Sequence, residues 1–579
     1  MAYADRHTKV AVVLADPNGE QALRRALPQL FAQSQGPSAA QELLVGTLMD
    51  YARLSGEAAD QLLADLSAVP VADKAEEPAI PTDPNYESDE VDRGSARVTL
   101  PQNAEQNDTC ELVFAGPSHG NPFVDVDLTA TFRCADRTVN VGGFYDGEGC
   151  YRLRFLPPEH GPWSFLTTSN ARSLDGIEGQ FRVAPSNRPG PVRADGCHFR
   201  YDNGDPFIPV GTTLYAWTHQ DDVQEARTLQ TLAEAPYNKV RMCVFPKHYE
   251  FNSGEPPRYP FEQLANGQWD TTRFDVKFFD HLERRILDLG RLGIQADLIL
   301  FHPYDRWGFQ SLGAAADDRY TQYVVRRLAA LPNVWWSLAN EYDLMADKRD
   351  EDWERIGLTV ADADPVGHLL SIHNGTRIFD FTRPWITHCS IQKTDPASPV
   401  PHIEEWFAKW SKPIIIDELG YEGDIQFEWG SLSGEELVHR FWEIAVRGAY
   451  ATHGETFANQ DNLLWWAAGG ELVGNSTERI RLLAQMIAEC PTGHLEPLSG
   501  HFHLRGAGVR GVYELHYLGH YQPRSLKFDW PEGTTADVEI IDTWTTTVDT
   551  VPGDFTGPFE LSLPGRPNLA VRIRRRPNL

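Results

Sequence analysis

At 579 residues, the chain is too long for one hydrophobic core and predicts three or four domains. Its 82 acidic against 52 basic residues give a net charge of −30, which argues against nucleic-acid and anionic membrane partners and disfavours strongly anionic substrates unless a local basic pocket overrides the field. The seven cysteines are odd in number and lack CxxC spacing, so neither a disulfide framework nor a zinc site is signalled.

Residues Met1 to Asn18 show no basic stretch leading into an apolar run, and no segment is long and apolar enough to span a bilayer; the expectation is a cytoplasmic protein. Apolar residues then recur at helical spacing: Leu23, Leu27, Leu30 and Phe31; Leu44, Leu48 and Tyr51; Leu62, Leu63 and Leu66. They predict a helical segment over 1–70. Three short amphipathic helices bury little by themselves, so they should pack on another domain or another subunit, and a homo-oligomer is expected. A Pro- and acid-rich linker follows over 71–94.

Short alternating runs come next, such as Val126, Leu128, Ala130 and Phe132, then Tyr151, Leu153 and Phe155, separated by turn clusters. They predict a β-sandwich over 95–188. From 189 to 495 apolar strands alternate with helices, and eight strand candidates lie near Pro209, Val240, Leu298, Trp336, Leu370, Thr387, Ile415 and Thr456. That rhythm predicts a (β/α)8 TIM barrel. Short strands return over 496–579 as a C-terminal β-sandwich. The fold class is therefore multidomain, with the barrel central.

In such barrels the residues just after each strand line the active site. Strand 4 ends NVWWSLANEYD and strand 7 ends KPIIIDELGYEG, so Glu341 and Glu418 arrive at one rim. Two carboxylates across a barrel mouth suit glycosidic cleavage, one donating a proton and the other attacking or supporting the sugar cation. Each would also suit a helix N-terminus, as would Asp417 and Glu422.

The pair Asn340-Glu341 with Glu418 resembles the large clan of retaining (β/α)8 glycosidases, and the resemblance covers a little over half the chain. It implies that Glu341 is the acid/base, Glu418 the nucleophile, and Asn340 a ligand of the sugar 2-hydroxyl. It implies further that Arg241 holds the nucleophile and that Trp465 or Trp466 floors the sugar subsite. The flanking domains are similar to those of uncharacterised bacterial glycosidase-like proteins. No tyrosine follows strand 6, where many clan members place one beside the nucleophile, and His388 or Gln392 is the candidate substitute.

Other rim candidates are His302, Tyr304, Asp305 and Trp307 after strand 3, and His373 and Asn374 after strand 5. Their mixture of polar and aromatic groups suits a sugar's edge and face; Asp305 and Arg306 would equally satisfy each other. After strand 1, Tyr215, Trp217 and His219 suit either binding or packing, and Glu455 near strand 8 suits a binding or structural role. Two rival classes stand beside the glycosidase. A metal-dependent hydrolase would draw on His302, His373, His388 and His453, although the only His-x-His pair is His501-x-His503. A non-catalytic carbohydrate-binding protein would explain the many tryptophans but not the placement of both glutamates. The expected chemistry is double displacement on small glycosides, exo-acting, with no cofactor and no metal.

Overall fold

The computed structural model describes residues 2–32, 40–41, 43–71, 83, 85–394, 402–459, 463–498 and 504–576. Half of the acidic linker and the His501-x-His503 pair lie outside them.

The barrel is an eight-stranded parallel sheet: β1 (Gly211–Thr213), β2 (Lys239–Cys243), β3 (Gln295–Phe301), β4 (Val334–Ala339), β5 (Leu370–Ser371), β6 (Cys389–Gln392), β7 (Ile414–Glu418) and β8 (Tyr450–His453). The ladder runs 5-4-3-2-1-8-7-6, and a single parallel bridge between His373 and Ser390 joins β5 to β6. Every residue of β3 and β4 is buried, as expected for strands covered on the inside by barrel side chains and on the outside by helices. The helix Val276–Arg291 shows how those helices form. Asp275 caps it by accepting from Lys277 N at 2.8 Å. Its stripe of Phe278, Phe279, Leu282, Ile286 and Leu289 is buried, at the spacing one helix face requires.

Charge is neutralised inside the barrel. Lys239 Nζ lies 2.8 Å from Asp297 and 2.7 Å from Asp417, and Arg241 Nη1 lies 3.3 Å from Asp417, all four side chains buried. Two cations and two anions balance, which is the condition under which so many charges tolerate burial.

Ahead of the barrel, a five-stranded and a four-stranded sheet share one core containing Phe132, Phe155 and Trp163. This unit is tied to the barrel by Arg154, 2.7 Å from Glu283, and by Arg327, 2.6 Å from Asp146. A C-terminal five-stranded sheet over 505–575 sets Tyr517 against Trp442 of the barrel helix Gly434–Ala445, ring centroids 5.3 Å apart.

The N-terminal helices do more than present stripes. Among the described residues, five of them between Val10 and Leu66 enclose a core of their own around Val13, Leu23, Val45, Leu48 and Leu62. Strand Ala2–Tyr3 pairs with Pro70–Val71 and closes the unit. The surface they pack on belongs to the same chain, the barrel rim beyond β4.

Candidate active site

Glu418 is the last residue of β7 and Glu341 lies two residues beyond the end of β4. Glu341 adopts φ +51°, left-handed for a residue with a Cβ. Such backbones cost energy and persist where the surroundings impose them. Its side chain does not cap the short helix Tyr342–Leu344 that follows. The capping alternative for Glu341 is therefore not what the carboxylate does.

Asn340 lies between the two carboxylates. Its Nδ2 donates to Glu341 Oε2 at 3.1 Å, and its Oδ1 accepts from Arg241 Nη2 at 3.1 Å and lies 2.9 Å from the Tyr215 hydroxyl oxygen. The single Tyr215 hydroxyl proton goes to Glu418 Oε1. His373 Nε2 lies 3.2 Å from the same oxygen. At the other ring nitrogen, Nδ1, Ser390 Oγ lies 3.0 Å and Arg241 Nη1 3.2 Å away.

The two carboxylates are driven apart in acidity. Burial raises Glu341, the negative charge of Glu418 raises it further, and it stands at about 7 although Lys247 pulls it down. Burial also works to raise Glu418, but the His373 hydrogen bond and charge, Arg241 and the Tyr215 hydroxyl outweigh it and leave it at about 2. One group is thus poised to hold a proton near neutrality while its neighbour stays ionised, the condition for an acid beside a nucleophile.

Arg241 does not grip Glu418 directly. Its guanidinium holds Asp417, Asn340 and Ser390, and it acts on Glu418 through His373 and through its charge. Asp417 is taken up by Lys239, Ser390 and Thr452. Neither His388 nor Gln392 stands in for the tyrosine beside the nucleophile. His388 packs against Trp335 and bonds Thr387, and the neighbouring hydroxyl comes instead from Tyr215 beyond β1. Gln392 serves the other carboxylate, its Nε2 3.4 Å from Glu341 Oε1. Tyr304 joins it there, its hydroxyl hydrogen-bonded to Glu341.

Several rim candidates also have partners within the protein. His302 Nε2 is 3.1 Å from the Phe245 carbonyl, and burial lowers its pKa to about 3. Asp305 accepts from the main-chain N–H groups of Trp307 and Gln310, both at 2.7 Å, and so shapes its own loop. Asn374 uses both ends of its amide on the Gln392 main chain. Trp307 lies in an outer groove of about 700 Å³ with Glu255, Tyr259 and Trp269. Trp217 is wholly buried in the barrel core. Trp465 is also in that core, its Nε1 2.9 Å from Thr212 Oγ1. Trp466 instead joins Tyr215, Tyr249 and Tyr421 around the site. Glu455 accepts from Val473 N and Gly474 N, and Glu422 from Asn475 N and Ser476 N.

One residue had no signal in the sequence beyond its place after β2. Lys247 Nζ stands 3.6 Å from the Tyr215 ring centroid, 4.3 Å from that of Tyr304 and 5.6 Å from that of Trp466. Burial lowers its pKa, and the charges of Glu341 and Glu418 oppose that shift. A cation framed by aromatic faces and within electrostatic reach of both carboxylates is a polar anchor suited to a hydroxylated ligand.

The four histidines of the metal-hydrolase alternative do not converge. His302, His373 and His388 have the separate partners described above, and His453 lies instead with Glu422 and Glu455.

Three family models match the chain. An "Apiosidase-like, catalytic domain" matches residues 193–470, and domains of unknown function, DUF5060 and DUF5605, match 103–170 and 502–574. None of the three reaches the N-terminal helices. A structure from Bacteroides vulgatus, described as a candidate glycoside hydrolase, is 38% identical with a TM-score of 0.77; it is matched over 100% of its length by 82% of this chain. A glycoside hydrolase of family 5 from the same species shares 17% identity, with a TM-score of 0.53 over 66% of this chain and 93% of its own, a likeness of fold. None of the curated protein sequences compared with this chain matches it.

Proposed function

Because the chain belongs to the glycoside hydrolases built around an Apiosidase-like catalytic domain, we propose that it is a retaining glycosidase in which Glu418 is the nucleophile and Glu341 the acid/base. Glu418 attacks the anomeric carbon while protonated Glu341 gives its proton to the departing oxygen. Glu341, then ionised, removes a proton from water, and that water displaces Glu418 from the sugar. The negative charge of Glu418 helps hold the proton on Glu341 and disappears once Glu418 is esterified. One residue thereby serves as acid in the first step and base in the second.

The observation that carries this reading is the arrangement of the two buried carboxylates on one rim: Glu418 takes the Tyr215 hydroxyl and Glu341 takes Asn340 Nδ2. Asn340, held by Arg241 and reaching Glu341, is placed to meet the sugar 2-hydroxyl. Trp466 offers an aromatic face. The substrates are taken to be small glycosides cleaved from one end. In support, Glu341 and Glu418 are only 8% and 7% exposed, which suits a pocket better than an open cleft. The name of the matched domain makes apiosides the first glycones to try.

The test is a mechanism-based 2-deoxy-2-fluoro glycoside of the sugar that an aryl glycoside panel selects. The reading expects the protein mass to rise by one glycosyl unit, with the label on the peptide containing Glu418. A label elsewhere, or hydrolysis without a covalent stage, would overturn it.

A further inference from the structure

The helix Val45–Tyr51 of the N-terminal unit stands on the loop that carries Glu341. Thr47 Oγ1 donates to the Asp343 carbonyl at 2.8 Å in a buried bond. That loop is itself braced. The Asp343 carboxylate accepts from Gly375 N, Thr376 N and Arg377 N at 2.5, 2.8 and 2.7 Å, binding the β4 loop to the β5 loop. Around the bond lie two looser ion pairs, Lys9–Asp347 and Asp5–Arg349, each 3.8 Å. The helix is therefore seated on a rigid part of the catalytic rim.

Tyr51 follows Thr47 by four residues, one turn on and on the same helix face. It thus stands on the side turned toward the Glu341 loop, at the end of the helix. Its surroundings agree. Its hydroxyl is raised to about 12 by burial and then by the charges of Glu341 and Asp343, and Tyr304, bonded to Glu341, senses Tyr51 in turn. Yet the residue is 56% exposed, and no aromatic ring packs on it among the described residues. A large aromatic side chain has been brought to the catalytic mouth and left uncovered.

Direction follows from chemistry. The acid/base delivers its proton to the oxygen of the leaving group, so the leaving group departs on the Glu341 side of the cleaved bond. We propose that Tyr51 is the platform of the leaving-group subsite, stacking on an aryl ring or on the apolar face of a second sugar, and that the N-terminal helical unit thereby forms part of the substrate site. This rests on the glycosidase reading and adds to it the class of aglycone, a flat ring rather than an alkyl chain.

The test compares two substrates of the same sugar: the 4-nitrophenyl glycoside that the wild-type protein cleaves best and the matching glycosyl fluoride. The fluoride has no bulk to occupy the subsite. Tyr51→Ala should lower kcat/KM on the aryl glycoside by about tenfold, an aromatic contact's worth, and leave the fluoride unchanged. Tyr51→Phe, which keeps the ring, should retain both activities. Equal losses on the two substrates, or no loss on either, would overturn the proposal while leaving the glycosidase reading intact. Wild-type protein that cleaves neither probe would remove the glycosidase reading and this inference with it.

Discussion

His373 Nε2 lies 3.2 Å from Glu418 Oε1, and the ring is held from behind at Nδ1 by Ser390 and Arg241. Together with the Arg241 charge and the Tyr215 hydroxyl, His373 keeps Glu418 ionised against the pull of burial.

The first prediction concerns the acid side of the pH profile. Glu418 must be ionised to attack, and its pKa of about 2 puts the acid limb of kcat/KM at very low pH. Tyr215→Phe removes one of the groups that lower it. A hydrogen bond to a charged group is worth about 1.5–3 kcal/mol, so the limb should rise by about one to two pH units. An unmoved limb would mean that Tyr215 does not act on Glu418.

On the alkaline side the controlling group is Glu341, which must be protonated. Activity should fall as pH rises through about 7. Lys247 lowers the pKa of Glu341, so Lys247→Met should carry that limb to higher pH. A limb that moves down, or stays in place, contradicts the assignment of Lys247 as the cation that tunes the acid.

Stability provides an independent check on Glu341. Its folded pKa is raised above its ordinary value of 4.5 to about 7. The folded state therefore holds the proton more tightly, and stability is lost as pH climbs from the ordinary value through 7. Glu341→Gln, which cannot ionise, should raise Tm at pH 8 while leaving it nearly unchanged at pH 4. Thermal unfolding at the two pH values measures the difference, and equal effects at both would refute the buried-acid account.

The adjacent tryptophans should separate by type of damage. Trp466→Ala should reduce kcat/KM by about 2–4 kcal/mol in transition-state binding, in addition to the Tm loss expected for a buried tryptophan. Trp465→Ala removes a core side chain and the partner of Thr212, and should destabilise the fold by about 3–5 kcal/mol. Kinetics and thermal unfolding of both variants would reveal a reversal.

That contrast also marks how far the sequence could be read. The runs ending in Asn340-Glu341 and in Glu418 were legible because a continuously apolar strand breaks into carboxylates at a fixed end of a parallel barrel. Trp465 and Trp466 were not separable, since neighbours on a helix point about 100° apart and sequence does not say which way the turn faces. His302, Asp305 and Asn374 read as ligands because polar residues in a rim loop do; each also has main-chain partners, which every residue carries and no pattern reveals. Tyr215 and Lys247 come from the loops after β1 and β2, far in sequence from the glutamates. Only the closed order of strands brings them to Glu418 and Glu341. The N-terminal helices were visible as stripes, but their seat on the Asp343 carbonyl depends on a single threonine.

The most direct measurement of the two glutamates' roles is the anomeric configuration of azide products, read by proton NMR. In Glu418→Gly, azide enters the vacated space and attacks from the nucleophile's face, so the glycosyl azide should be inverted relative to an activated substrate. In Glu341→Gly the nucleophile still acts. A good leaving group departs unaided, and azide then displaces Glu418 from the opposite face with net retention. Inversion from the first variant and retention from the second is the expected pair. The opposite pair would exchange the roles of Glu341 and Glu418, and an inverted sugar from the wild-type protein would contradict the double displacement itself.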